Sequence, residues 1–282
     1  MISETKIHTF EDAVRIAQKN VTNKSCTKDI RILLGNGFSQ AYHKDFSYTT
    51  LFAVIKDKKE YAKIKKLFDY LSTSNFEAVL SFLKNAQFLF KTYGIKNSSV
   101  KKDYEKLRDA LAETIVKVHP KKTSVIPDEN KKTCYDFLRF FSDIYTVNYD
   151  LLLYLALLTD PSLEFGDYFN RDEDTPEQYC EYIPDGAKKK KHVYFLHGGV
   201  HLFLKDGRTI KKVWGNTIPL IAQIKQEIEN GYYPWVVAEG DYKAKLEQIK
   251  SNPYLDRSYL KLSQNGGQLF TFGFSFSEPD TH

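Results

Sequence analysis

Ile30-Arg31-Ile32-Leu33-Leu34-Gly35-Asn36-Gly37-Phe38-Ser39 is the stretch whose reading decides the fold. Its first five residues form a short β-type run, stopped by a glycine pair that opens a turn. The same arrangement returns twice. Ile144-Tyr145-Thr146-Val147 ends at Asn148-Tyr149-Asp150, and His192 to Leu196 ends at His197-Gly198-Gly199. Each run reads as a buried parallel strand with small or polar residues past its carboxyl end, where open α/β sheets bind nucleotides. Helical segments separate the strands, which implies right-handed crossovers. The expected class is α/β, a Rossmann-like parallel sheet flanked by helices, in one domain over 1–282.

Outward from this frame, Thr9 to Asn20 predicts a short amphipathic helix with Thr9 as its cap. Between the first two strands the pattern turns helical from Leu51 to Val118. Phe76, Val79, Leu80 and Leu83 recur at helical spacing, with Ser74 or Asn75 as cap and Glu77 in the first turn. Three helices there exceed what one crossover requires, so 51–118 is read as a helical insertion. Lys131 to Phe141 and Leu151 to Leu158 predict helices on either side of the second strand. Gly166 to Lys191 is acidic, then rich in Pro and Gly, then carries four lysines at 188–191; it reads as a mobile or partner-facing excursion. Beyond it, His201 to Leu204 is expected to pair with the third strand across Gly198-Gly199. Pro234 to Val237 and Gln268 to Phe272 are expected strands, with helices over 217–230, 241–250 and 253–263.

The totals narrow the class. In 282 residues, Lys+Arg 41 against Asp+Glu 36 gives a charge of +5, a mixed surface rather than a polycation. That argues against direct nucleic-acid binding and only weakly favours an anionic ligand. Aromatic residues make up 15%, with 20 Phe and 19 Tyr; such rings fill cores and interfaces. Cys26, Cys134 and Cys180 form no metal-binding pair and suit a reducing cytoplasm. No stretch approaches the ~18 apolar residues of a membrane span, and Met1 to Asn20 lacks a signal-peptide core. A soluble cytoplasmic protein is expected.

The candidate chemistry lies past the strand ends. Gly35 and Gly37 permit close approach to a phosphate, and Ser39 adds a hydroxyl. The same glycines are common in any strand-to-turn segment. Asn148 and Asp150 fit two roles, capping the helix that follows or facing the ligand crevice. His197 is the sharpest residue: an imidazole titrating near neutrality suits general-base work. A core histidine bonded to backbone fits its surroundings equally. His192 and His201 are read as structural. A zinc pair of His197 and His201 lacks a third ligand of suitable spacing, so no metal is expected.

With these residues in place, the chain resembles sirtuins. Thr146-Val147-Asn148-Tyr149-Asp150-Leu151 is similar to their Thr-Gln-Asn-x-Asp-x-Leu signature, and Leu196-His197-Gly198 to their catalytic His-Gly. Gly35 to Ser39 resembles their Gly-Ala-Gly-x-Ser loop, Asp45-Phe46 their Asp-Phe-Arg, and Gly273-Phe274-Ser275 a late Gly-x-Ser. The segments are more similar still to prokaryotic sirtuin-like domains of antiviral systems that hydrolyse NAD. The four zinc cysteines of deacylating sirtuins are absent, Asn36 replaces an Ala, and no Arg follows Phe46. The chain stops at His282 where the resembled domains run on into another helix.

The resemblance implies NAD as substrate, with nicotinamide and ADP-ribose as products and His197 and Asn148 as catalytic residues. Gly35, Asn36, Gly37, Phe38, Ser39, Asp150, Gly273 and Ser275 would hold the dinucleotide. In that scheme the backbone N–H groups of 35–39 receive the pyrophosphate and Asp150 the nicotinamide carboxamide. Asn148 orients the attacking water, and His197 takes a proton. An NAD hydrolase must be restrained, and 282 residues leave no evident sensor domain. Control by homo-oligomerisation or by a separate regulatory protein is therefore expected. Two other readings stand beside hydrolysis: a non-hydrolytic sensor or scaffold binding NAD or an ADP-ribose-like signal, and transfer of ADP-ribose to an acceptor.

Overall fold

The computed structural model describes residues 9–22, 30–43, 46–120, 126–158, 165–171, 179–186, 189–213, 218–238, 242–264 and 266–276. Helix α1 (Phe10–Thr22) begins where expected, the Thr9 hydroxyl accepting from the Asp12 N–H at 3.1 Å. Strand β1 (Ile30–Leu34) is buried along its whole length, as a central parallel strand must be. It lies between β2 (Asp143–Thr146) and β9 (Gln268–Phe272). Beyond β2 come β6 (Lys191–Phe195) and β3 (Phe165–Gly166), completing a five-stranded parallel sheet in the order β3-β6-β2-β1-β9. The chain steps from β1 to β2 on one side and returns with β9 on the other. The carboxyl ends of β1 and β9 therefore flank the point where strand order reverses, the crevice in which such sheets hold ligands.

Alternation along the strands sorts side chains onto two faces. Ile32, Leu34, Ile144, Val193 and Phe195 join the larger core. Leu33, Tyr145, Tyr194 and Leu196 form a smaller cluster with Tyr168. Their strand register, Leu33 beside Tyr145 and Tyr145 beside Tyr194, stacks the two tyrosine rings 4.8 Å apart at 11°. Much of the aromatic content thus serves packing.

Between β1 and β2 run α2 (Asn36–Tyr42), α3 (Tyr48–Ala53), a 3-10 turn at Lys59–Tyr61, α4 (Ala62–Tyr70), α5 (Phe76–Thr92), α6 (Ser98–Val118) and α7 (Asp128–Leu138). Asn75 is the cap of α5, its side-chain oxygen accepting from the Glu77 N–H at 2.8 Å. Phe76, Val79, Leu80 and Leu83 are buried as the spacing predicts, packing with Leu107, Leu111 and Ile115 of α6. Each side chain buried so fully contributes about 1.5–3 kcal/mol.

Three expectations are corrected. The residues after Gly198-Gly199 do not pair with β6. They form β7 (Leu202–Lys205), which pairs antiparallel with β8 (Arg208–Lys212). Asp206-Gly207 makes that hairpin, both residues at positive φ of 50° and 76°, the two-residue turn whose twist fits antiparallel strands. Pro234 to Val237 forms no strand; it contributes one antiparallel bridge, Gly198 to Val236. The segment read as an excursion carries β3, β4 (Phe169–Asn170) and β5 (Tyr179–Tyr182). These last two join β8 and β7 in a second, antiparallel sheet; residues 172–178 and 187–188, the latter including Lys188, lie outside the described residues. Helices α8 (Leu152–Leu158), α9 (Leu220–Glu229), α10 (Tyr242–Lys250) and α11 (Pro253–Gln264) occupy the remaining expected positions. No helix among the described residues is long and apolar enough to cross a membrane.

Candidate functional site

The carboxyl edge of the parallel sheet opens into a cavity of about 430 Å³, within the usual range for small-ligand sites. The turns after β1 and β9 form one wall through Gly35, Asn36, Gly37, Gly273, Phe274 and Ser275. The segment after β2 contributes Val147 to Asp150, and the turn after β6 contributes His197. The helical insertion supplies the opposite wall, including Tyr48, Asn75, Glu77, Leu111 and Ile115. Asn148 and His197, more than forty residues apart in sequence, thus face one space.

The glycine loop is pinned to the β9 turn. Gly35 N–H donates to the Phe272 carbonyl at 2.9 Å and Gly37 N–H to the Gly273 carbonyl at 3.0 Å. Phe38 N–H turns back to the Gly35 carbonyl at 2.9 Å. Gly273 has φ +66°, and a Cβ there would stand 2.4 Å from Gly37 Cα. Only glycine fits on both counts. The loop was expected to present its N–H groups from 35 to 39 to a pyrophosphate; three of those five are engaged within the protein.

Ser39 and Phe38 do not line the cavity. Phe38 is a core residue at the ring-centroid distance of 6.3 Å from Tyr42 and 6.5 Å from Phe272. An aromatic ring on the apolar face of α2 goes to the core, whatever the loop before it does. Ser39 is fully buried, and its hydroxyl donates to Asp150 Oδ2 at 2.6 Å. Asp45, a further element of the resemblance, lies outside the described residues.

Asn148 is a brace and a wall at once. Its Nδ2 donates to the Gly35 carbonyl at 2.9 Å and to Ser39 Oγ at 2.8 Å. A carbonyl acceptor fixes which end of the amide is nitrogen, so the side-chain oxygen is the end left for a ligand or water. Asp150 is the cap of α8, Oδ1 accepting from Leu152 N–H at 2.7 Å. Burial raises its carboxyl pKa, opposed by the bonds from Ser39 and the backbone. Both readings of this pair therefore hold geometrically: one segment caps the helix and walls the cavity.

His197 sits in a turn clamped from both sides. Its carbonyl accepts from Val237 N–H at 2.9 Å, and Val200 N–H donates to the Tyr149 carbonyl at 2.8 Å. Gly198 has φ +78°, and a Cβ there would meet the Trp235 carbonyl oxygen at 2.0 Å. The imidazole is buried and lies against the Tyr149 ring, centroids 6.5 Å apart at 24°. His201 goes elsewhere, stacked on Tyr154 and edge-on to Phe195. Burial first, then Lys211 and His119, holds its pKa well below the usual value. Among the described residues no three His, Cys, Asp or Glu side chains cluster as metal ligands.

Sequence reading missed the role of Glu77. Its Oε1 accepts from the Tyr48 hydroxyl at 2.7 Å and stands 2.9 Å from the Tyr149 hydroxyl. The Tyr149 hydroxyl shares its one proton with the Val237 carbonyl at 3.0 Å. Oε2 pairs with Lys245 Nζ at 3.0 Å, and that lysine side chain is 1% exposed. The signal was present at position 245: Lys245 precedes the buried Ile249 by four residues and so lies on the inward stripe of α10. A charged residue there demands a buried partner.

The fold and cavity define a Rossmann-like α/β protein with a polar cleft at the switch point of its sheet. Residues 32–282 match the model of a family described as a domain of unknown function, DUF4917. The chain belongs to that family. No curated protein matches it.

Proposed function

We propose that the cleft binds NAD and hydrolyses it to nicotinamide and ADP-ribose, in the manner of the NAD-hydrolysing sirtuin-like domains the motifs resemble. The observation that carries this reading is the meeting of Asn148, His197, Asn36 and Ser275 around one cavity at the sheet's switch point. The N-glycosidic bond breaks with its electron pair passing to the nicotinamide nitrogen, leaving an oxocarbenium-like sugar carbon. A water oxygen bonds that carbon. Asn148 Oδ1 orients the water, and His197 accepts the proton released. Asn36 and Ser275 side chains meet the pyrophosphate. Asp150, bonded to Ser39 and Leu152 and lining the cavity, keeps the Asn148 segment in place and would also meet the nicotinamide carboxamide through its remaining acceptor positions.

Restraint of the activity falls to self-association or a second protein. The exposed rings of Tyr70, Phe88 and Tyr93 on the helical insertion suit such contacts. The setting is a prokaryotic defence system that depletes NAD on activation. A second reading, a nucleotide sensor without hydrolysis, is favoured by the bracing of Asn148 against Gly35 and Ser39, a job that needs no chemistry.

The test is incubation of the purified protein with NAD, alone and with candidate partner proteins. Free nicotinamide with free ADP-ribose supports hydrolysis; a modified acceptor means transfer. Binding without products means sensing. General-base help is worth about 10²–10⁴-fold, so His197→Ala should lower turnover by that factor while the far-ultraviolet dichroism stays the same. Parent-rate hydrolysis by His197→Ala removes the base assignment.

A further inference from the structure

We propose that Glu77, from the helical insertion, binds the ligand directly by accepting a hydroxyl of the ribose nearest the scissile bond. The inference rests on the dinucleotide reading and extends it to the wall opposite the glycine loop.

An ionised carboxylate offers about four acceptor positions. Tyr48 and Tyr149 take two on Oε1, and Lys245 takes one on Oε2. The fourth meets no donor among the described residues, although the side chain lines the cavity at 19% exposure. Three donors from separate segments hold the group so firmly that binding costs it little ordering. An oriented anion with one open position, set in a wall shared with Leu111 and Ile115, calls for a neutral donor such as a sugar hydroxyl; it repels phosphate.

The position of Glu77 in the cleft decides which ribose it meets. Asn148 touches the glycine loop through Gly35. The next residue, Tyr149, reaches Glu77 with its hydroxyl and lies against His197 with its ring. Glu77 is therefore linked through Tyr149 to the His197 side of the cleft. With His197 at the scissile carbon, the sugar beside Glu77 is the one that carries nicotinamide.

Glu77→Gln alone would leave the buried Lys245 ammonium without the carboxylate it now pairs with. The variant to use is Glu77→Gln with Lys245→Met, which removes both charges and keeps the volumes; such replacements of buried ion pairs are often tolerated. Its fold is checked by circular dichroism and urea unfolding. Calorimetric titration then compares NAD, ADP-ribose and ADP on the parent and the variant. NAD and ADP-ribose share the distal ribose that ADP lacks. A charge-assisted bond lost should weaken both by about 10- to 100-fold, with ADP unchanged. Affinities for all three that stay at the parent's values in a folded variant overturn the role of Glu77 and leave the nucleotide reading standing. Weakening of ADP as well overturns it in favour of a structural role. Weakening of NAD alone overturns the ribose assignment, since the contact would then be to the carboxamide. A parent protein that binds none of the three overturns the dinucleotide reading, and this inference with it.

Discussion

Gly35→Ala separates two reasons for a glycine at the end of β1: room for a phosphate, or room for the β9 turn. Gly35 has φ −108° and ψ −171°, extended backbone that any residue adopts, so only contact excludes a side chain. A Cβ at this position would lie 2.4 Å from the Gly273 carbonyl oxygen and 2.6 Å from Phe274 Cα. Real Cβ atoms essentially never come inside 3.0 Å, and the obstacle is backbone, which cannot swing aside as a side chain can. The turn after β9 must retreat by more than half an ångström. That movement strains the bonds from Gly35 N–H to Phe272 and from Gly37 N–H to Gly273, now 2.9 and 3.0 Å.

Overpacking of this kind costs about 1–3 kcal/mol, and each weakened backbone bond about 0.5–1.5 kcal/mol. The expected destabilisation is about 2–6 kcal/mol, read as a fall in the urea midpoint of the ligand-free protein at unchanged slope. Gly166→Ala serves as the control. Its Cβ would meet Lys189 Cβ and Cγ at 3.1 and 3.2 Å, so the neighbour must give by only a few tenths of an ångström, and the change should stay within about 1 kcal/mol, below that expected at Gly35. If Gly35→Ala unfolds at the parent midpoint and only nucleotide binding suffers, the packing argument is wrong and the glycine is reserved for a ligand.

Two further expectations are independent of any ligand. Burial pushes the Cys134 thiol up to about 12, so at pH 8 its thiolate is scarce. Alkylation followed by mass mapping should leave it unmodified until urea opens the core; rapid native labelling would refute its placement. His119 is held down to about 4, chiefly by burial, with a bond to the Pro120 carbonyl opposing and His43 adding to the shift. Its folded value lies below the unfolded value near 6.5, so the unfolded chain takes up the proton first as pH falls. Stability is therefore full above pH 6.5 and lost progressively down to pH 4, by about 3 kcal/mol for this group. His119→Gln should flatten that limb of the pH profile, and an unchanged slope would contradict it.

How much of this was legible in sequence depended on whether the signal was local. β1 and β9 were readable to the residue, because apolar runs bounded by glycine carry their own end signals. Helix α5 was readable for the same reason: Asn75 marks its start, and its apolar stripe marks its face. The hairpin of β7 and β8 was misread because Gly198-Gly199 drew attention from Asp206-Gly207, the pair whose positive φ makes the turn. Gly198 is glycine for another cause, the nearness of Trp235, and no local pattern reveals a contact to a residue nearly forty positions away. The gathering of Asn148 and His197 followed from topology, since both end parallel strands on one edge. The contribution of Glu77 did not, because it enters from an inserted helix whose approach depends on three-dimensional packing.

The charges around the cleft bear on the kind of ligand more than the glycines do. Among the described residues that line it, the ionisable groups are Glu77, Asp150, His197 and the tyrosines; no lysine or arginine is present. Lys245, the nearest cation to Glu77, is spent on that carboxylate. A site built for the Coulombic capture of phosphate would show the opposite balance. With three of the loop N–H groups already satisfied inside the fold, a pyrophosphate must be met by neutral donors such as the side chains of Asn36 and Ser275. That contact supplies position more than affinity. Fixed negative charge instead suits the other end of the proposed substrate, where nicotinamide is cationic and the sugar carbon gains positive charge as the bond breaks. On this account the cleft binds its ligand weakly by the phosphates and acts most strongly on the state closest to cleavage. Raising the salt concentration should therefore weaken ADP binding little, as a polycationic phosphate site would not allow.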